Sequence, residues 1–459
     1  MNILIVGNGF DLSHYLPTKY DHFMDVMGAI ELKDTGGLPK NLAEKSIDEW
    51  LNLLEKTFEK REDLASQPHD MAFDELFSKT RDSKFIEKTK EYYLTESVEV
   101  SAKDVLKIQY QLELNCWYQY FKNHVEEIKT WIDFEQKIED VLVVVARCIV
   151  DLESMDHQDK IINYLNKRGQ DNLKIKLKDF ETLNFFNFIT KNEGVMIPFN
   201  LNLNFCHGKD VKNGFSSANF INFLHTELEK FIEIFNLYLE IIVGQLIQSR
   251  MIDIDAEWSY PDKIYSFNYT NTYQRLHDAV DVEYLHGSCG EYQNIVLGVS
   301  DLEGESLKKI KAYGFTKYHQ KLFKDTDYIF LNDSVSKVKM YKINLESYRK
   351  DYVNLSFQDF NAEIMRKERL DLNFYIWGHS LDVSDKDYII DLFSLNDEID
   401  RNVRVTVYYF DKPAKFALLN NLLAILGKDK VEQWMKNKWL VFKKNPEVKF
   451  IEAENQQIA

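Results

Sequence analysis

The residues of this chain best suited to chemistry sit in four short segments, each directly after a strand-like run. Ser266-Phe267-Asn268-Tyr269-Thr270-Asn271 places amide and hydroxyl groups at a strand end, where ligands of open α/β sheets bind. An asparagine there can hold a sugar hydroxyl or a water. Leu285-His286-Gly287-Ser288 ends another run. Its imidazole titrates near neutrality and has a glycine beside it, which is the setting of a general base with room for a substrate. Gly7-Asn8-Gly9-Phe10-Asp11 supplies a glycine turn whose backbone N–H groups can approach a phosphate, with Asp11 either capping the next helix or lending negative charge to the site. Leu12 stands where the third glycine of GxGxxG would be, so the dehydrogenase fingerprint is incomplete. Trp377-Gly378-His379-Ser380-Leu381-Asp382 partly matches a nucleophile elbow, but Asp382 replaces its last glycine and no histidine follows Ser380. That turn serves better as a phosphate or ribose contact. Each segment also has a plainer reading as a turn that satisfies its own backbone.

Other candidates are weaker. There is no HExxH or EF-hand loop, and His207, His225, His277 and His319 show no ligand spacing, so no metal is expected. Trp131-Ile132-Asp133-Phe134-Glu135 reads as helix packing rather than site. Lys167-Arg168 and Lys443-Lys444 read as solvated basic pairs.

The elements that would carry these turns follow from periodicity. Ile3-Leu4-Ile5-Val6 is apolar without alternation, as in a parallel strand covered on both faces. A helix is expected from about Tyr20 to Ile30. Residues 30–255 read as a mostly helical insertion, clearest over Leu106–Val150 and Phe220–Ile247, with Leu173–Phe180 alternating like a ribbon. Strand-like runs return at Ile264–Phe267, Glu283–Leu285, Ile295–Leu297, Phe374–Trp377 and Val403–Phe410. The expected fold is a Rossmann-like α/β domain with a mostly parallel sheet, discontinuous over 1–29 and 256–412, followed by a helical or edge segment over 413–459.

Composition narrows the class. The 459 residues are 45% hydrophobic and include 31 Phe and 25 Tyr, ample for a large core. The net charge of −17 repels phosphate backbones and anionic lipid, so nucleic-acid binding and a membrane surface are disfavoured. Four dispersed cysteines without a CxxC pair, and no leader-like or membrane-length apolar run, read as a cytoplasmic protein.

Gly7-Asn8-Gly9-Phe10-Asp11-Leu12, Leu16-Pro17-Thr18-Lys19-Tyr20, Phe267-Asn268-Tyr269-Thr270, Leu285-His286-Gly287, Leu297-Gly298 and Trp377–Asp382 together resemble the bacterial abortive-infection AbiH family over nearly the whole chain. That resemblance implies a role in stopping phage spread. More remotely, the same turns resemble the sirtuin-like fold, whose members bind NAD and, in defence proteins, hydrolyse it with an asparagine and a histidine. Carried over, Asn268 would orient ribose and water and His286 would be the general base. The backbone amides around Gly7, Asn8, Gly9 and Phe10, and around Gly378, His379 and Ser380, would hold pyrophosphate and adenosine ribose, with Ser266, Thr270 and Gly287 completing the ligand contacts. Thr270 stands where the sirtuin pattern has an aspartate, and the zinc module of protein deacylases is missing. Protein deacylation is therefore not expected.

The leading expectation is an NAD glycohydrolase, in which Asp11 faces the cationic substrate and the insertion senses infection or assembles a homo-oligomer, triggered by a phage or defence-system protein. The rivals are a sensor that binds NAD or ADP-ribose without turnover, a nucleic-acid-directed effector, and an assembly partner whose turns are only turns.

Overall fold

A computed structural model of the protein describes residues 1–34, 70–128, 130–153, 177–191, 199–254, 260–326, 330–351, 371–397 and 403–451, with one or two positions at a time between some of them. At its centre six parallel strands form one sheet: β1 (Asn2–Val6), β2 (Lys263–Ser266), β3 (Val282–Tyr284), β4 (Leu372–Trp377), β5 (Val403–Tyr409) and β6 (Leu440–Lys444). Their order is β3-β2-β1-β4-β5-β6. Every neighbouring pair is parallel, with Ile3 flanked by Lys263 and Phe374. Ile3, Leu4, Ile5 and Val6 are all buried, so the unbroken apolar run does mark a strand covered on both sides.

Helices supply the cover. In chain order they include α1 (Asn8–Ser13), α2 (Tyr20–Leu32), α3 (Ala102–Leu114), α4 (Cys116–Asn123), α5 (Trp131–Glu153), α6 (Ser217–Tyr238), α7 (Lys317–Phe323), α8 (Asn332–Asp351), α9 (Lys386–Ser394), α10 (Lys412–Leu426) and α11 (Lys428–Lys436). α5 shows why the insertion folds as it does: Phe134, Ile138, Val141, Leu142, Val145, Ile149 and Leu152 recur at three- and four-residue spacing and all are buried. Phe121, Phe134 and Phe231 meet with ring centroids 4.1–5.3 Å apart, which binds α4, α5 and α6 into one core. α2 joins it through Phe23, which sits edge-on to Phe235 at 5.3 Å.

Four expectations about elements and their grouping change. Ile295–Leu297 joins no strand, because the Gln320 side chain takes its backbone: Leu297 N donates to Gln320 Oε1 (2.9 Å) and Gln320 Nε2 donates back to Leu297 O (3.0 Å). The sheet's remaining strand is Leu440–Lys444 instead, so the segment after 413 completes the sheet beyond its two helices. There Lys443 and Lys444 are exposed on an edge strand, a placement that blunts edge-to-edge pairing. The ribbon expected at Leu173–Phe180 is helical from Leu177 onward, while positions 173–176 lie outside the described residues, as do Lys167 and Arg168. Residues 295–315, grouped with the sheet from sequence, pack in the same apolar cluster as the insertion. Among the described residues no helix is long and apolar enough to cross a membrane.

Candidate active site

Parallel strands end on one edge of a sheet, so β1, β2, β3 and β4 deliver Gly7, Phe267, Leu285 and Gly378 to the same side. Between β1 and β4 the strand order changes direction, which opens a crevice at that edge. A cavity of about 340 Å³ lies there, within the usual range for small-ligand sites. Its walls come from the sheet turns and also from the insertion, through Trp131, Ile132 and Glu135 of α5 and Phe235 of α6.

Most of the residues singled out in the sequence meet on this cavity. Gly7, Asn8, Asp11, Asn268, Thr270, His286, Gly378, His379 and Ser380 line it; Gly9, Phe10, Ser266 and Gly287 do not. Phe10 is buried edge-on against Trp377 at 5.0 Å. Ser266 closes its own turn, its Oγ accepting from Asn268 N (3.1 Å) and donating to Asn268 O (3.0 Å). Gly287 has φ of 78° and packs on the Asn294 backbone.

The glycines of the first turn have a different task from cradling a phosphate. Gly7 N donates to Trp377 O (3.1 Å) and Gly9 N to Gly378 O (2.9 Å), so both amides are committed within the protein. Phe10 N is likewise bonded to Gly7 O (2.8 Å), and of these four amides that of Asn8 is left for a ligand. Turn packs on turn: a Cβ at Gly7 would lie 2.6 Å from His379 Cα, and one at Gly9 2.7 Å from Gly378 Cα.

That contact fixes the polar centre. Asn268 Nδ2 donates to Gly7 O (3.0 Å) and to Asp11 Oδ1 (2.9 Å), while Thr270 Oγ1 donates to Asp11 Oδ2 (2.6 Å). Both Asp11 oxygens are thereby used to orient neighbours, and the Asn268 amide is held with its Oδ1 acceptor free for a ligand. Burial pushes the Asp11 carboxyl up to about 6 against the pull of Thr270, Thr272 and Asn268, so it is ionised at neutral pH.

Sequence reasoning missed the other half of the site. Lys317, at the start of α7, reaches Glu135 Oε1 (2.9 Å) and Asp385 Oδ1 (3.4 Å). Asp385 in turn lies 3.2 Å from His286 Nε2 and 3.4 Å from His379 Nε2. All five line the cavity. Burial would raise Asp385, yet Lys317, His286 and His379 hold it well below the usual carboxylate range. Burial takes Glu135 up to about 7 despite Lys317, and takes His286 down to about 3 despite Asp385, which leaves the imidazole neutral at pH 7. Trp131 and Glu135, read from sequence as helix packing, are part of this wall. Among the described residues no cluster of three or more His, Cys, Asp or Glu is arranged to hold a metal.

Behind the first turn, His14 Nδ1 donates to Phe10 O (2.8 Å), so its Nε2 accepts from His277 Nε2 (2.8 Å). Burial and the facing His277 push His14 down to about 3, and burial pushes His277 to about 4. An unfolded histidine titrates near 6.5. Below that value the unfolded chain binds protons that the native pair refuses, so stability is lost as pH falls from about 6.5 towards 4. The loss from His14 alone is on the order of 2 kcal/mol at about pH 5. Denaturant midpoints across this range should fall more steeply for wild type than for His277→Gln, which keeps a donor to His14 but removes one titrating ring; equal slopes would refute the pair's role.

Compared with known proteins, the chain matches no curated protein and no solved structure. The family model described as bacteriophage abortive infection AbiH matches residues 3–409, and on that match the chain belongs to the AbiH family.

Proposed function

We propose that this AbiH protein acts in abortive infection by hydrolysing NAD to nicotinamide and ADP-ribose. The observation that supports this reading is the convergence of Asn268, Asp11 and His286 on one cavity, at the edge where the strand order reverses. The order β3-β2-β1-β4-β5-β6 is also that of Rossmann-like dinucleotide-binding sheets, which take their ligand at this point.

The chemistry asks little of the protein. Nicotinamide is a cationic leaving group, so the C1′–N bond breaks towards an oxocarbenium-like transition state, its electron pair going to the ring nitrogen. The site must position the ribose, face the developing charge with anions and admit one water. Asn268 Oδ1 is the acceptor for a ribose hydroxyl or that water. Asp11 fixes Asn268 and adds negative charge nearby. His286, neutral at pH 7, accepts the proton that the water loses as its oxygen bonds to C1′. The Asn8 amide and the Ser380 hydroxyl remain as donors for the phosphates or the second ribose.

Purified protein incubated with NAD, alone and with lysate of phage-infected cells, should release nicotinamide. His286→Ala should lower the rate by about 10²–10⁴-fold, and Asn268→Ala should lose it likewise. NAD binding without release under any condition would assign the protein as a sensor. Absence of binding would reject the nucleotide reading altogether.

A further inference from the structure

The hydrolysis just described uses His286 and Asp11 but none of the buried charged groups that adjoin His286. Asp385, Lys317 and Glu135 come from three separate elements, α9's N-cap, α7 and α5, and all three reach the same cavity. Such a network is a poor device for stability. Desolvating a lysine and two carboxylates costs about as much as their attraction returns, and apolar side chains of similar volume would hold the wall as well or better. Its placement therefore asks for a chemical reason.

The geometry around Asp385 gives one. Its Oδ2 faces His379 Nε2 at 3.4 Å. His379 Nδ1 accepts from Leu381 N (2.9 Å), so the His379 proton is on Nε2, directed at the carboxylate. Its Oδ1 faces His286 Nε2 at 3.2 Å, off the line of a full hydrogen bond, and that nitrogen is buried with no other partner. Lys317 Nζ stands 3.4 Å from the same Oδ1 and is tied on its far side to Glu135. Phe267 lies edge-on to the His286 ring with centroids 5.0 Å apart, which limits its rotation. A carboxylate accepts and cannot donate, so the ring nitrogen turned towards it carries the proton. The other nitrogen, Nδ1, then keeps its lone pair.

We propose that Asp385 is the positioning residue for His286: it sets the Nε2–H tautomer, leaves Nδ1 as the base, and stabilises the imidazolium formed when Nδ1 takes the proton of the attacking water. Lys317 keeps the carboxylate charged and in place. Because Lys317 is anchored by Glu135 on α5, the base is correctly set only while the insertion is docked on the sheet. The proton-transfer part of this inference rests on the NAD-hydrolysis reading, whereas the tautomer part does not.

The test uses the full chain labelled with ¹⁵N in its histidine rings. Two-bond ¹H–¹⁵N spectra report the His286 tautomer in wild type, Asp385→Asn, Asp385→Glu and Lys317→Met, alongside kcat and KM for nicotinamide release. Wild type should show Nε2–H. Asp385→Asn removes the charge and leaves one acceptor for the three N–H groups of Lys317, His286 and His379, so the Nε2–H share of His286 should fall in favour of Nδ1–H, with kcat lowered about 10²-fold or more and KM changed far less. Asp385→Glu should restore the Nε2–H form and part of kcat, a rescue that a purely structural carboxylate would not give. Lys317→Met should behave like Asp385→Asn, and it carries the test if Asp385→Asn does not fold. An Nδ1–H tautomer in wild type, or the same tautomer and kcat in folded Asp385→Asn and Lys317→Met as in wild type, would overturn the proposal. A tautomer change without nicotinamide release from any sample would sustain Asp385 as the positioning residue and reject NAD hydrolysis.

Discussion

Gly378→Ala is expected to destabilise the fold by about 4 kcal/mol or more, well beyond an ordinary surface substitution. Gly378 has φ of 75°, where a side chain costs on the order of 1–2 kcal/mol before any contact is counted. The contacts are worse. A Cβ there would lie 2.0 Å from Phe10 N, 2.3 Å from Gly9 C and 2.7 Å from Gly9 Cα, all backbone atoms that cannot rotate away. Relief requires the turn after β1 to part from the turn after β4, which breaks the Gly9 N to Gly378 O bond and carries Asp11 away from Asn268. The control is Gly28→Ala, inside α2, where a Cβ meets nothing within 4 Å. It should be neutral or stabilising by about 0.5–1 kcal/mol. Urea unfolding of both variants decides the matter, and a Gly378→Ala midpoint equal to wild type would mean that the two turns are not in rigid contact.

What the sequence disclosed of this site was local. β1 was legible because four consecutive apolar residues before a glycine have few other readings, and Asn268 and His286 were legible because each follows a short strand. That these ends meet was not legible: β1 finds β4 some 370 positions later, and nothing local records the pairing. The first turn admitted two readings for a related reason. Glycines spaced two apart suit both a phosphate loop and the close approach of another backbone, and only the partner, Gly378, distinguishes them.

The charged half of the site was hidden by residue type. Lys317 and Asp385 look like solvated surface and Glu135 like part of a packed helix, since burial of a charge depends on partners distant in sequence. Two signals were present all the same. Thr316 caps α7 by accepting from His319 N, which puts Lys317 at the first helical position, where a cation opposes the helix dipole and so needs another reason to be there. Glu135 falls one turn after Trp131 on an otherwise apolar stripe of α5, and an ionisable group in that position asks for a partner.

Asn268→Asp is the sharper probe of the polar centre, because it changes almost nothing in shape. It replaces the amide donor by a carboxylate facing Gly7 O and Asp11 Oδ1, where bonds of 3.0 and 2.9 Å now run. Two carboxylates so close and so buried cannot both be ionised, and one must hold a proton near neutral pH. Burial has already raised Asp11 to about 6, so the second charge raises the pair further. The sign follows directly. In the unfolded chain both groups titrate near 3.9, so at neutral pH the native pair binds a proton that the unfolded chain does not. The penalty is then full, about 3–5 kcal/mol for an uncompensated buried charge, and it fades as pH falls towards 4. The stability gap between wild type and Asn268→Asp should therefore narrow markedly from about pH 7.5 to about pH 5, whereas that of Asn268→Ala should not. Nicotinamide release should fall about 10²–10³-fold or more in both, since each loses the held amide. An Asn268→Asp protein as stable and active as wild type at neutral pH would show that Asn268 does not donate to Asp11, and with it the case for this pair as the centre of the site would fail.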